Sequence, residues 1–392
     1  EFTSERVRAV GQAVATYLDD ADVSGAVAVG YDARETSRGF AESLCDVLTA
    51  NGFDCILPER DTPTPVVAWT VRERGLAGAL MVTASHNPPE YNGVKFIPSD
   101  GAPALPEVTE AIEARLATPA AGPGDGDVTE TDFVAPHAEH VLELADVDLS
   151  GLTVAYDAMH GSGREATPAL LERAGATVTR LRCERDPAFG GTAPEPSAEN
   201  LDALAAAVQD GDADVGVAND GDADRVAVVT PARGSLDENL FFAGLYDYLL
   251  ESRSGPAVRT VSTTFLIDRI AEAHGERVVE TKVGFKWVAQ AMAEHDALVG
   301  GEESGGFSVR GHVREKDGVL AALYAAAMAT DGLDARIDAL LEEHGDIYQG
   351  KVSLDCPDEQ KAGVVEALGD QIPDSVAGAD VVDVNTADGF KL

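Results

Sequence analysis

The 392-residue sequence predicts an α/β protein of three similar domains, followed by a smaller, partly represented α+β unit. Two observations carry this. A pattern of strand, polar loop, helix, capping glycine and strand recurs at three separate places, and that order is the signature of a parallel βαβ unit. Stretches rich in Pro, Gly and acidic residues fall between the repeats, where a chain turns or links. One large sheet with chance periodicity is the competing reading. At ~150 residues per domain, the length suits two to three domains.

The first round opens with a strand at Ala26–Gly30, a polar loop at Asp32–Thr36 and a helix through Cys45 and Leu48. Gly52 caps it, and Phe53–Leu57 is the next strand. The apolar run Gly78–Val82 reads as a buried strand. Ala117–Thr131 reads as a linker. The second round has a strand at Leu152–Tyr156, a loop at His160–Gly163, a helix closing at Gly175 and a strand at Thr177–Thr179. Two further apolar runs, Val215–Ala218 and Val226–Val229, bracket a short acidic loop. A seam at Gly234–Asn239 precedes the third round: strand Val258–Val261, a helix from Thr264 to Gly275, then Val278 and Val279. The third domain ends after a helix near Leu340–His344. Beyond Tyr348 the spacing predicts a strand at Val352–Leu354, a helix at Asp358–Leu368 and a strand at Val381–Val384. Phe390–Leu392 reads like the middle of a hairpin, so a fourth domain is only partly represented. The expected domains are 1–133, 134–236, 237–345 and 346–392.

Charge narrows the function. With 69 acidic against 29 basic residues the net charge is −40. Nucleic acid and anionic membrane surfaces both need clustered cations and are disfavoured as partners. The acidic residues are spread along the chain, and arginines (22) outnumber lysines (7). This reads as adaptation to high salt, where screening makes self-repulsion tolerable; a merely acidic cytosolic protein is the alternative. The four cysteines are scattered without a CxxC, which fits a reducing cytoplasm and gives no zinc signal. No apolar stretch is long enough for a bilayer and no signal peptide is visible, so a cytoplasmic location is expected. The chain starts at Glu1 without methionine, so an incomplete N-terminus is expected. Oligomeric state stays open.

Three loops carry candidate chemistry. Thr83–Lys95 reads TASHNPPEYNGVK. A buried strand delivers Ser85 to a loop stiffened by two prolines, at the strand's carboxyl end, where open α/β sheets place their chemistry; an ordinary turn is the plain alternative. In Asn219–Arg225, Asp220, Asp222 and Asp224 alternate with small residues. That spacing lets three carboxylates converge on one hard cation. Without neutralisation they would repel one another. Oxygen ligands favour Mg²⁺ or Mn²⁺ over zinc or copper, and Arg225 could hold a phosphate or balance the loop. A solvated acidic turn is the plain alternative. An EF-hand fails, because the twelfth position must be Glu but is Gly221 counting from Asp210 and Pro231 from Asp220. The third loop, Gly300–Phe307, offers Glu302, Glu303 and Ser304 among glycines. Two carboxylates and a hydroxyl suit vicinal sugar hydroxyls, although a glycine-rich turn needs none. His312 and the polar run Arg314–Gly318 follow it, and the scarce lysines Lys95, Lys286 and Lys316 all sit beside such loops, which favours anion binding.

Taken together, TASHNP, DGDADR and GEESGG, in that order across essentially the whole chain, resemble the α-D-phosphohexomutase family of phosphoglucomutases and phosphomannomutases. Val283–Lys286 and Asp157–Gly161 also match family patterns. The resemblance implies mixed-sheet domains around a central cleft: a phosphoserine-loop domain, a metal-binding domain, a sugar-binding domain and a partial phosphate-binding domain. It implies that Ser85 is a phosphoserine which phosphorylates a hexose phosphate to a bisphosphate and recovers the other phosphate. One Mg²⁺ per subunit would be held by Asp220, Asp222, Asp224 and the phosphorylated Ser85. His86 and Lys95 resemble proton-handling or phosphate-polarising positions. Arg225 and Lys286 would contact phosphate, Glu302 and Ser304 the sugar, with His312 at the site edge. Hexose 1,6-bisphosphate is the expected activator. The family's Gly-rich segment with its Arg, and its Ser/Thr-rich phosphate loop, would lie upstream of Glu1 and beyond Leu392. Gly306 stands where many mannose-accepting members have His, and Arg314–Gly318 looks glucose-type, so glucose phosphate is favoured over mannose, and glucosamine phosphate is less expected given Glu315–Gly318. A metal-dependent sugar phosphatase and a non-catalytic sugar-phosphate-binding protein are the rival classes.

Overall fold

The computed structural model describes residues 2–119, 124–347, 354–376, 378–386 and 388–391. Three sheets repeat one plan. The first contains β1 (Val27–Tyr31), β2 (Cys55–Pro58), β3 (Gly78–Val82), β4 (Val94–Pro98) and β5 (Val128–Thr131), in the order β4-β3-β1-β2-β5. The second contains β6 (Thr153–Asp157), β7 (Thr177–Leu181), β8 (Val215–Asn219), β9 (Val226–Thr230) and β10 (Gly234–Leu236), in the order β10-β9-β8-β6-β7. The third contains β11 (Ala257–Thr260), β12 (Val278–Thr281), β13 (Val299–Gly301) and β14 (Phe307–Val309), in the order β12-β11-β13-β14. In each, the first strand lies parallel between the second and third, and a fourth turns back antiparallel on the third. The predicted mixed α/β repeats are therefore present.

This plan places the motifs. The serine loop joins β3 to β4, the acidic loop joins β8 to β9, and the Glu-Glu-Ser loop joins β13 to β14. All three occupy the same connection, at the carboxyl end of a central strand buried on both faces.

Helix Gly318–Thr330 follows the third sheet but packs on β8, β9 and helix Gly163–Arg173 of the second. Its sequence has no polar face, and every residue from Gly318 to Met328 is buried, as expected of an interior helix. One apolar core thus runs from Ala138 to Leu340 through two domains.

Two expectations change. The stretch read as a linker contains β5, a largely exposed edge strand parallel to β2; Val-Thr-Glu-Thr carries too little apolar signal to show it. Near the carboxyl end, helix Asp358–Gly369 matches its expectation. Val381–Val384 is not a strand: the pairing lies at Ser375–Val376 with Ala379–Asp380, and Asn385 bridges Lys391. The expected strand at 352–354 falls mostly on residues 352–353, and the expected hairpin partly on residue 392, outside the described residues. Among the described residues no helix is long and apolar enough to cross a membrane.

Candidate active site

Ser85 takes a left-handed conformation, φ 49°, which costs a non-glycine residue on the order of 1 kcal/mol and persists only where its surroundings enforce it. Its N–H donates to Thr83 Oγ1 at 2.8 Å, and its Oγ donates to Asp220 Oδ2 at 2.6 Å. His86 Nδ1 lies 3.4 Å from the same Oγ. Burial and the charge of Arg225 lower the pKa of His86 and favour its neutral form. The acidic loop reaches Ser85 because position 221 is glycine: a Cβ there would sit 2.6 Å from the Ser85 carbonyl oxygen.

Asp220, Asp222 and Asp224 are all buried, and one carboxylate oxygen from each lies within 4.8 Å of the others. Burial and the two neighbouring carboxylates push the pKa of Asp220 up. Burial acts the same way on Asp222, but Lys95 and the Thr64 hydroxyl outweigh it and hold Asp222 below the usual carboxylate range. Oδ1 of Asp222 and Oδ1 of Asp224 are buried without a hydrogen-bond partner. Unpaired acceptors of this kind are costly unless something neutralises them. This donor set, all oxygen with two acceptors left unpaired, fits a hard divalent ion.

Cations arrive from all three sheets. Lys95, on β4, places Nζ 3.0 Å from Asp222 Oδ2 and 3.4 Å from Asp224 Oδ2. Burial works against its charge, but the two carboxylates outweigh that and raise its pKa. Lys316, after β14, places Nζ 2.9 Å from Asp224 Oδ2. Arg225, after β8, brings its guanidinium Nε to 3.9 Å from Asp224 Oδ1, where it is buried without a hydrogen-bond partner, while its backbone N–H donates to Asp220 Oδ1 at 3.1 Å.

The third loop docks on the second sheet, where Val226 N donates to Gly305 O at 3.0 Å. Gly306 lets the Lys316 stem cross it; a Cβ there would lie 2.3 Å from Lys316 Cδ. Glu302 is buried, accepts from Gly284 N at 2.9 Å and has its pKa raised by burial. Ser304 is exposed on the same turn. Glu303 is held aside by Ser262 Oγ at 2.7 Å and Thr260 Oγ1 at 2.9 Å.

Thus Ser85, His86, Lys95, Asp220, Asp222, Asp224 and Arg225 converge, with Glu302 and Ser304 on the loop that docks beside them. Lys286 does not join them; it lines a groove with Asp100, Gln290 and Arg314, its Nζ 5.5 Å from the Trp287 ring. His312 must be corrected. It is buried, its Nε2–H donates to Asp317 Oδ2 at 2.8 Å and its ring stacks on His140, so it ties domains together and is not presented to a sugar beside the triad. Sequence reasoning missed Thr64, whose Oγ1 donates to Asp222 Oδ2 at 2.6 Å, and Arg34, which underlies the serine loop. It also missed Glu315, a carboxyl pushed up to about 7 by burial. A hydroxyl, three carboxylates and three cations brought together suit phosphoryl transfer, which depends on positioning and charge neutralisation.

The comparisons with known proteins agree with this geometry. Residues 1–121, 135–234 and 237–348 match the models described as Phosphoglucomutase/phosphomannomutase, alpha/beta/alpha domains I, II and III respectively. A Methanopyrus kandleri protein named "Probable phosphoglucosamine mutase" is 33% identical, with 100% of this chain and 87% of the relative covered. A Thermococcus kodakarensis "Phosphoglucomutase/phosphomannomutase" is 30% identical over 100% of this chain and 86% of its own. A solved structure from Thermus thermophilus, assigned provisionally as a phosphomannomutase, is 33% identical with a TM-score of 0.82, covering 88% of this chain and 81% of that one.

Proposed function

The chain belongs to the phosphoglucomutase/phosphomannomutase family of phosphohexomutases, and from that premise we propose that it interconverts hexose 1-phosphate and hexose 6-phosphate through a phosphoserine at Ser85. The observation that carries this reading is the Ser85 hydroxyl, held in a left-handed turn 2.6 Å from the first carboxylate of a buried aspartate triad.

In the proposed cycle the Ser85 Oγ–P bond breaks as a bond forms from phosphorus to the free hydroxyl oxygen of a hexose monophosphate. The hydroxyl proton leaves to a base while the departing Oγ takes up a proton; the resulting bisphosphate reorients, and its other phosphoryl group passes to Oγ as Oγ gives up that proton and the vacated sugar oxygen is protonated. His86, favoured neutral and 3.4 Å from Oγ, would be the base that takes the Oγ proton on the return transfer; Lys95 and Lys316 would stay protonated and hold charge on the phosphoryl oxygens. Asp220, Asp222 and Asp224 would hold Mg²⁺, which when bound neutralises the phosphoryl group. Arg225 would contact phosphate, and Glu302 and Ser304 the sugar hydroxyls. Hexose 1,6-bisphosphate would prime Ser85. Glucose phosphate is the favoured substrate, on the residues at Gly306 and Arg314–Gly318; the names of the relatives make glucosamine and mannose phosphates the competitors. The charge of −40 extends the proposal to work in concentrated salt.

The test is a coupled assay in concentrated KCl with Mg²⁺ and a trace of glucose 1,6-bisphosphate, offering the 1-phosphates of glucose, mannose and glucosamine to wild type and Ser85→Ala. Isomer formation by wild type alone, fastest with glucose, is expected. Release of inorganic phosphate without isomer would replace the mutase by a phosphatase, and tight binding without turnover by a binding protein.

A further inference from the structure

Arg34 is 1% exposed and lies beneath the Ser85 loop. A guanidinium has five N–H donors in a fixed fork, and here all five have acceptors. Nη1 donates to the carbonyls of Pro88 at 2.6 Å and Tyr91 at 3.1 Å. Nη2 donates to those of Ser85 at 2.7 Å and Asn87 at 2.8 Å. Nε donates to Asp32 Oδ2 at 3.0 Å. Four carbonyls of one loop therefore converge on a single buried cation. The same Asp32 carboxylate accepts from Thr83 Oγ1 at 2.8 Å, and Thr83 Oγ1 accepts from the Ser85 N–H at 2.8 Å. Both backbone groups of Ser85 are thus tied to one carboxylate, the carbonyl through Arg34 and the N–H through Thr83. The other face of the guanidinium lies 5.0 Å from the ring of Phe189, which belongs to the second domain.

A serine with positive φ does not hold that conformation unaided. We infer that Arg34 is a positioning residue for phosphoryl transfer: it fixes the Ser85 loop so that Oγ stays aligned between the aspartate triad and the incoming hydroxyl. This rests on Ser85 being the phosphoryl carrier. Lysine cannot replace the fork, because an ammonium is a point donor with three N–H groups and no plane. The loop would keep its charge balance but lose most of its carbonyl anchors. A misplacement of ~1 Å in such a system costs about 100-fold in rate.

The experiment compares wild type, Arg34→Lys, Thr83→Val and Ser85→Ala. It records kcat and KM for glucose 1-phosphate, the rate of phosphate incorporation from glucose 1,6-bisphosphate by intact-protein mass, and the thermal midpoint. Thr83→Val cuts the second tie at similar volume and decides the matter should Arg34→Lys not fold. The expected result is a kcat about 100-fold lower for Arg34→Lys, with KM within about threefold, and an equally slowed phosphorylation of Ser85 while the protein remains folded. A smaller fall in the same sense is expected for Thr83→Val. Folded variants with wild-type kcat and phosphorylation rate, or a loss confined to the thermal midpoint, overturn the inference while leaving the role of Ser85 intact. Mutase activity in Ser85→Ala overturns the underlying reading instead.

Discussion

Glycine 221 marks the closest approach of the two reacting loops. A Cβ there would meet the Ser85 carbonyl oxygen at 2.6 Å and Pro194 Cγ at 2.9 Å, so Gly221→Ala must push the acidic loop off the serine loop. Overpacking of this kind costs about 1–3 kcal/mol of stability. The larger effect falls on catalysis, because Ser85 Oγ and Asp220 Oδ2 separate; kcat is expected to drop at least ~10-fold. Steady-state kinetics alongside urea unfolding would check both, and unchanged kcat would show the loops free to readjust. The sequence made Ser85 and the aspartates legible because a reactive hydroxyl and three alternating carboxylates are unusual between apolar strands. Arg34 gave no such signal, since one arginine in a polar loop after a strand looks like any other and its acceptors are mostly backbone carbonyls. His312 was misplaced for a geometric reason. The chain at Asp317 is extended, φ −127° and ψ 95°, so neighbouring side chains point opposite ways. Lys316 goes to the aspartate triad, and Asp317 goes to the histidines.

At the scale of elements, periodicity revealed the βαβ rounds because most buried strands are apolar runs and the first helix of each round is followed by a turn glycine (Gly52, Gly175 and Gly275, all with positive φ). It could not reveal the exposed edge strand β5, or that helix Gly318–Thr330 crosses to another domain's sheet. That helix is N-capped by Asp317, whose Oδ1 accepts from Leu320 N at 2.8 Å. Its Oδ2 bonds His137 Nε2 and His312 Nε2, each at 2.8 Å. His140 Nε2 continues the chain to His312 Nδ1 at 3.1 Å, and Arg72 Nη1 donates to the His312 carbonyl. Trp69 stacks on His140. Helices Thr64–Arg74 and Val134–Ala145 and the cap of the buried helix meet here. Burial, against the attraction of Asp317, lowers the pKa of His312 to about 4. A base with a depressed folded pKa stabilises the fold fully above its ordinary value, and that stability is lost as pH falls from about 6.5 towards 4. The loss assigned to His312 is roughly 2–3 kcal/mol. Glu315, raised to about 7, works in the opposite sense over the same range, so wild type alone is not diagnostic. The expected result is a shallower fall in unfolding free energy between about pH 7 and pH 4.5 for His312→Gln than for wild type. Parallel profiles would show that His312 takes up its proton without strain.

For the whole molecule, electrostatics separates what salt can change from what it cannot. The aspartate triad, and the Arg164–Asp61 pair that ties the first domain to the second with side chains 7% and 6% exposed, lie where mobile ions screen little. Exposed pairs such as Arg38–Glu42 contribute little in any medium. What remains is the surplus of 69 acidic over 29 basic groups, spread over the surface of all three domains and repelling itself. Raising KCl from about 0.05 M to about 2 M shortens the screening length to a few ångströms, ~3 Å at 1 M. The thermal midpoint is therefore expected to rise by several degrees, most of the gain coming below about 1 M, with NaCl and KCl acting alike. A rise that instead grows steadily with concentration and is much larger in sulfate would indicate excluded-salt strengthening of apolar burial. A flat or falling midpoint would mean that the negative surface serves solubility alone, and adaptation to concentrated salt would have to be abandoned.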